Sequence, residues 1–101
     1  MLRNTTIKEM IQKSFDSLYE SGMIENKIIA TDDTVLIGPG SELDSVAFVT
    51  LFVDIEDRLR VETNEEIYLV LNEIHDFNPK ENYLTVSVLI AFIENLLDGM
   101  R

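Results

Sequence analysis

The residue pair best suited to chemistry is Asp44-Ser45, which directly precedes a run of apolar residues at helical spacing. Aspartate is a preferred helix N-cap, so Ser45 falls at the first helical position with its hydroxyl in solvent. The backbone N–H groups of a first helical turn are unpaired, and with the positive end of the helix dipole they accommodate a phosphate. The position therefore predicts a serine that carries a phosphodiester.

Other kinds of reactive site have little support in the sequence. It contains one histidine, His75, and no cysteine. A serine hydrolase would need His75 as the base for Ser45, because no base lies near the serine in the sequence. The lack of cysteine excludes disulfides, thiolate zinc sites and a cysteine nucleophile. The pair Asp32-Asp33 lacks the ligand spacing of an EF-hand loop, so we predict no metal site.

A helix is predicted at the start of the chain. It begins at Thr6, which forms a capping box with Glu9, and ends near Ser21, where Gly22 suits the position after a helix. Its apolar residues recur every three or four positions, which is the helical period. They are Ile7, Ile11, Phe15 and Leu18.

Residues 23–43 show no helical periodicity and predict a long loop with a turn at Gly38-Pro39-Gly40. Loops of this length are uncommon in compact domains and are usually functional. Leu36 and Leu43 are expected to hold the loop against the core.

The second predicted helix runs from about Ser45 to Leu59 and would position the serine. Its apolar positions form one stripe at 100° per residue, with Val46 and Val53 at the edge of the stripe, where partial exposure is expected. The stripe consists of Phe48, Val49, Phe52, Ile55 and Leu59.

Two more helices complete the predicted fold. The third follows the box Thr63-x-x-Glu66 and carries Ile67, Val70, Leu71 and Ile74, although the run 67–71 also fits a strand. An extra turn is predicted at Asn78-Pro79. The last helix is capped by Thr85, ends at Asp98-Gly99, and carries Val86, Leu89, Ile90, Ile93, Leu96 and Leu97. The sequence therefore predicts an all-α fold, a small irregular four-helix bundle with a long loop between helices 1 and 2.

Length and charge limit the class of protein. The 101 residues predict a single domain over 1–101. The net charge of −11 disfavours nucleic acid and anionic membranes and favours basic protein surfaces. The polar N-terminus does not read as a signal peptide, and the apolar runs are too short for membrane insertion. We expect a cytoplasmic monomer.

The segment Leu43-Asp44-Ser45-Val46, followed by an apolar helix that ends Asp54-Ile55-Glu56-Asp57-Arg58-Leu59, resembles the acyl carrier proteins. The resemblance implies that a phosphopantetheinyl transferase esterifies Ser45 with 4′-phosphopantetheine, and that Asp44 assists the metal-dependent step of that enzyme. The thiol of the prosthetic group would then carry an acyl group as a thioester. The resemblance implies a carrier and not a catalyst.

The resemblance also implies a docking surface and a place for the cargo. Acyl-loading and acyl-accepting enzymes with basic surfaces would dock on residues near the site, which are Glu42, Val46, Val53, Asp54, Glu56 and Asp57. An apolar cargo would be sheltered between helices 2 and 3, where the facing residues are Phe52, Ile55, Ile67 and Leu71.

Three departures from the family pattern leave alternatives open. Val46 stands where leucine is usual, Glu42 where many members have glycine, and Ala47 and Thr50 where fatty-acid carriers usually present acids. The Leu43-Asp44-Ser45 form is similar to that of D-alanyl carriers and of stand-alone carriers that serve amino-acid or cell-surface polymer chemistry. One alternative is therefore an aminoacyl (D-alanyl-like) carrier. Another is a helical interaction module that is not modified.

Overall fold

The computed structural model describes residues 4–38, 40–41, 43–69, 73–74 and 84–99. In chain order its elements are α1 (Asn4–Glu20), β1 (Val35–Ile37), α2 (Ser45–Thr63), β2 (Leu84–Thr85) and α3 (Val86–Gly99). The prediction of a mainly helical protein is confirmed. The described residues form three helices and a small two-stranded sheet, however, and do not make a clear four-helix bundle.

The first helix has the predicted buried face and the predicted end. Its four predicted apolar positions all lie in the core. Gly22 adopts a left-handed conformation with φ of 83°, and the N–H groups of Gly22 and Met23 donate to the carbonyls of Tyr19 and Leu18. This pair of bonds is a Schellman motif, which satisfies carbonyls at the helix end. The predicted start is wrong, because α1 begins at Asn4 and Thr6 lies inside the helix.

The loop after α1 is fastened to that helix by the amide of Gln12. Its Nε2 donates to the carbonyl of Ile28 at 2.9 Å, and its Oε1 accepts from the N–H of Ala30 at 2.7 Å. Nε2 also donates to Asp16 Oδ1 at 3.1 Å. The Gln12 amide thus bonds one carbonyl and one N–H group of the loop backbone, as the backbone of a neighbouring strand would. These bonds hold the loop beside α1.

Replacing Gln12 with alanine is expected to lower the free energy of unfolding by about 2 kcal/mol, because two partly buried backbone bonds at roughly 1 kcal/mol each are lost. Urea denaturation followed by circular dichroism measures the change. The matched control is Asp16→Ala, which removes only the outer bond of the same amide and should cost less than about 0.5 kcal/mol. Equal effects of the two changes would show that the amide does not hold the loop.

The predicted loop contains a strand. Val35–Ile37 pairs antiparallel with Leu84–Thr85, with Val35 opposite Thr85. The loop also caps α3, since the carbonyls of Thr34 and Asp32 accept from the first two amides of that helix, at 2.9 and 3.1 Å. Leu36 is buried and Leu43 packs against the core, which confirms the two residues predicted to hold the loop.

The third predicted helix does not begin where the sequence suggested. Helix α2 continues four residues beyond Leu59 to Thr63, whose hydroxyl donates to the Leu59 carbonyl at 2.7 Å and forms no capping box. Asn64 then ends α2 in a left-handed conformation with φ of 57°. Residues 65–69 are not helical.

Within residues 65–69, buried and exposed side chains alternate, as they do in an extended chain. Ile67 and Leu69 are buried, whereas Tyr68 between them is exposed. This pattern agrees with the strand-like alternative for the run and contradicts the helical one over these residues. Ile74 is also buried in the core. Val70, Leu71, His75 and the predicted turn at Asn78-Pro79 lie outside the described residues.

Candidate functional site

Ser45 is the first residue of α2, as predicted, and it is exposed. Asp44 is the N-cap, with Oδ1 accepting from the N–H of Ala47 at 2.7 Å and its carbonyl accepting from the N–H of Phe48 at 2.9 Å. These two bonds satisfy the third and fourth amides of the helix. The amides of Ser45 and Val46 and the Asp44 Oδ2 atom make no hydrogen bond within the described part of the chain. The serine hydroxyl thus lies beside free donors.

The segment before the site is held by Ser41, a residue that the sequence did not single out. Its hydroxyl donates to the Leu36 carbonyl at 2.8 Å and accepts from the Leu43 N–H at 3.1 Å, while its own N–H donates to Gly38. Gly40 has φ of 92°, which favours glycine. Serine near a turn glycine is a weak sequence signal for this kind of bond. Glu42 lies outside the described residues.

A pocket of about 310 Å³ opens directly beside Ser45. We call it the Phe48 pocket. It lies between β1 with the turn that follows it and the first turn of α2. Its lining residues are Leu36, Ile37, Gly38, Ser41, Leu43, Asp44, Ser45 and Phe48. The Phe48 ring packs against Phe52, with ring centroids 4.3 Å apart, which orients the aromatic wall.

The rotation of α2 differs from the predicted one. The buried residues are Ala47, Leu51, Phe52, Ile55 and Leu59, so the core stripe is centred on positions 47, 51, 55 and 59. Val49 was predicted to be core and is exposed, and Phe48 is half-buried. The rotation of α2 about its own axis depends on the core residues that it packs against, chiefly those of α1. Both the buried and the exposed face of α2 carry apolar residues, so the spacing of apolar residues alone does not determine which face is buried.

This rotation leaves a row of valines on the outer surface of α2. Val46, Val49 and Val53 are 64%, 59% and 49% exposed, and their spacing places them on one face that leads away from Ser45. We call these three residues the valine row. Val46 and Val53 were predicted to be partly exposed, which is confirmed. Val49 was missed, although its spacing from the other two was a readable signal.

The predicted acidic docking residues of α2 are engaged within the molecule. Asp54 pairs with Arg58 at 2.8 Å, and Asp57 pairs with Arg60 at 3.0 Å. Glu56 is largely covered, with its side chain 15% exposed, and accepts from the N–H of Leu69 at 2.6 Å. The Glu56 carboxylate therefore fastens the segment after α2 to the helix. Asp57 nevertheless keeps an exposed side chain, so the surface of α2 next to Ser45 carries both the apolar valine row and paired acids.

The residues predicted to shelter an apolar cargo belong to the continuous core. Phe52, Ile55 and Ile67 are all buried in it together with residues of α1 and α3. Leu71, the fourth residue of this group, lies outside the described residues. The space beside Ser45 is instead the Phe48 pocket, on the side of β1.

Within the described ranges, no three histidine, cysteine or acidic side chains lie close enough to hold a metal ion. His75, considered above as a base for Ser45, lies outside those ranges. None of the described helices has both the length and the apolar character needed to cross a membrane.

Comparisons with known protein families, with curated proteins and with solved structures found no match for this chain. The function therefore has to be inferred from the site itself, which consists of an exposed serine at a capped helix start, an adjoining pocket and a row of exposed valines.

Proposed function

We propose that the chain is an acyl carrier protein that holds its cargo on 4′-phosphopantetheine esterified to Ser45. The observation that supports this most directly is the exposed Ser45 at the first position of α2, beside an aspartate N-cap and two amides that make no hydrogen bond among the described residues. In this proposal the single domain 1–101 is a carrier-type helical bundle, monomeric and cytoplasmic. The carrier itself is not an enzyme.

The residues at the site suit the attachment of such a group. Ser45 Oγ would form a bond to the phosphorus that bears the pantetheine, the phosphorus–oxygen bond within the pyrophosphate of coenzyme A would break, and adenosine 3′,5′-bisphosphate would leave. The serine proton would pass to the transferase. Asp44 Oδ1 accepts the bond of the helix cap, and Oδ2, which makes no hydrogen bond among the described residues, would be available to the metal ion of the transferase. When bound, the group supplies the thiol that this cysteine-free chain lacks.

The surface around Ser45 indicates how partner enzymes bind. The net charge of −11 attracts basic surfaces at long range and speeds encounter. At close range the partner meets the valine row, since Asp54 and Asp57 already pair with Arg58 and Arg60. Apolar contacts with Val46 and Val53 would then determine how long the complex lasts.

The experiment is intact-mass analysis after incubation with a broad-specificity phosphopantetheinyl transferase and coenzyme A. We expect one phosphopantetheine adduct on the wild type and none on Ser45→Ala. Ser87→Ala is the matched control, because Ser87 is also an exposed serine in the first turn of a helix, and it should accept the adduct fully. A wild type that takes no adduct, or a Ser45→Ala variant that still does, would overturn the proposal.

The sequence left two alternatives to an acyl carrier, which are an unmodified interaction module and an aminoacyl carrier. Mass analysis distinguishes them. An unmodified interaction module would take no adduct and would bind partners through the valine row alone. Fatty-acyl and aminoacyl carriers, including a D-alanyl-like one, would both be modified. Mass analysis of the protein from its native source distinguishes these two, because the cargo adds its own mass to the arm.

A further inference from the structure

Ser45 and Asp44 line one side of the Phe48 pocket, whereas its apolar walls have no part in the proposed attachment or docking. We infer that this pocket holds the proximal part of the pantetheine arm, so that the arm lies over the β1 side of α2 and away from the valine row. This inference rests on the proposed function, since the arm must first be attached to Ser45.

The shape of the pocket is maintained by the fold and does not require a ligand. Leu36 of β1 is buried and forms the floor, and the half-buried Ile37, Leu43 and Phe48 supply apolar surface. The Ser41 hydroxyl bonds the backbone on both sides of the turn, which keeps the walls in place. A site that is already formed costs less ordering free energy when it is filled.

The position of Ser45 identifies the occupant. Ser45 is itself a lining residue, so any group esterified to its hydroxyl begins at the pocket. The tether makes binding intramolecular, and weak apolar contacts are then sufficient to populate the bound arm. The arm has a dimethyl-bearing carbon close to its phosphate and amides beyond it. These chemical groups match apolar walls that are interrupted by the polar residues Ser41 and Asp44.

The size of the pocket limits what it holds. At about 310 Å³ it is at the small end of ligand sites, which span roughly 300–1,000 Å³. It therefore takes the proximal arm and leaves a long acyl chain outside. The core offers a poorer alternative, because Ile55 and Ile67 are already packed there.

The consequence for function is that the arm and the docking surface are separate. Phe48 and Val49 are neighbours in the sequence, yet one lines the pocket and the other belongs to the exposed valine row. A partner enzyme can then bind the valine row while the arm lies in the pocket. The arm leaves the pocket only when the enzyme offers it a better site.

The test is nuclear magnetic resonance of the isotopically labelled protein after phosphopantetheinylation, with the adduct first verified by intact mass. We expect nuclear Overhauser effects between the arm methyl groups and the Phe48 ring and Leu43 methyl groups. Chemical-shift changes relative to the unmodified protein should spread over residues 36–48. This wild-type measurement does not depend on whether any variant folds.

Two variants show whether the arm contacts depend on the pocket. Phe48→Ala should remove the Overhauser effects to Leu43, whereas Val49→Ala should leave them unchanged. Shift changes limited to residues 44–46 with no Overhauser effects would overturn the inference, as would effects to Ile55 in place of Phe48. If intact-mass analysis shows no phosphopantetheine adduct, both the proposed function and this inference are overturned. An adduct without pocket contacts overturns the inference alone.

Discussion

Replacing Leu51 with alanine is expected to lower the free energy of unfolding by about 3 kcal/mol, as for other fully buried leucines. Leu51 is fully buried on the face of α2 that joins the core, between Ala47 and Ile55. The cost has two parts, which are the lost transfer free energy of the side chain and the cavity that remains. Urea denaturation gives the value, and an unchanged m-value would show that the two-state analysis applies.

The matched control for Leu51 is Val49→Ala, two residues away on the opposite face of α2. Val49 is exposed, so its truncation should change the free energy of unfolding by no more than about 0.5 kcal/mol. The stripe predicted from periodicity places Val49 in the core and does not include Leu51. If the Val49 variant lost as much stability as the Leu51 variant, the rotation of α2 and the exposed valine row would both be wrong.

Replacing Asp44 with asparagine is expected to slow phosphopantetheinylation of Ser45 by roughly 10- to 100-fold, the usual cost of losing a residue that supports a metal site. Asparagine caps helices as well as aspartate does, so the free energy of unfolding should change by less than about 0.5 kcal/mol. The amide lacks the charge that Asp44 Oδ2 would present to the metal ion of the transferase. The rate is measured by intact mass at successive times.

Two further variants separate the two roles of Asp44. Asp44→Ala removes the cap on Ala47 as well as the charge, so it should slow modification and also cost about 1 kcal/mol of stability. Asp54→Asn removes an acid of the same helix that is paired with Arg58, and its modification rate should stay close to that of the wild type. If Asp44→Asn were modified at the wild-type rate, Asp44 would be a helix cap only.

These experiments test different parts of one arrangement. The Leu51 and Val49 pair tests which face of α2 is exposed next to Ser45. The Asp44 variants test whether the residue before the serine contributes to its chemistry. A chain with the expected rotation but no effect at Asp44 would keep its exposed valine row, and Asp44 would have no role in the attachment step.

Much of the local structure was predictable because the signals are short in range. Gly22 after α1 and Asp44 before α2 act on the amides and carbonyls of adjacent residues, so their roles followed from the residue types. The same holds for Thr85, whose hydroxyl accepts from the N–H of Val88 at 3.4 Å at the start of α3. Ser45 belongs to this class, because its place at a helix start depends only on its neighbours.

The segment after α2 shows where local signals are not sufficient. Thr63 and Glu66 have the spacing of a capping box, yet Thr63 remains in α2 and residues 65–69 are not helical. The Glu56 carboxylate binds the N–H of Leu69, thirteen residues along the chain. The alternating burial of Ile67 and Leu69 then depends on the core that they contact. Contacts between distant residues therefore overrode a local helix signal.

From its amino-acid order alone the chain has the end of α1, the starts of α2 and α3, its acidic charge, and a serine at a helix start. Tertiary structure decided the rest. It turned α2 so that Leu51 is buried and Val49 exposed, paired β1 with β2 across the long loop, and formed the Phe48 pocket beside Ser45. The physical reason is that caps are satisfied by neighbouring backbone groups, whereas helix rotation, strand pairing and pockets depend on side chains that meet only after the chain has folded.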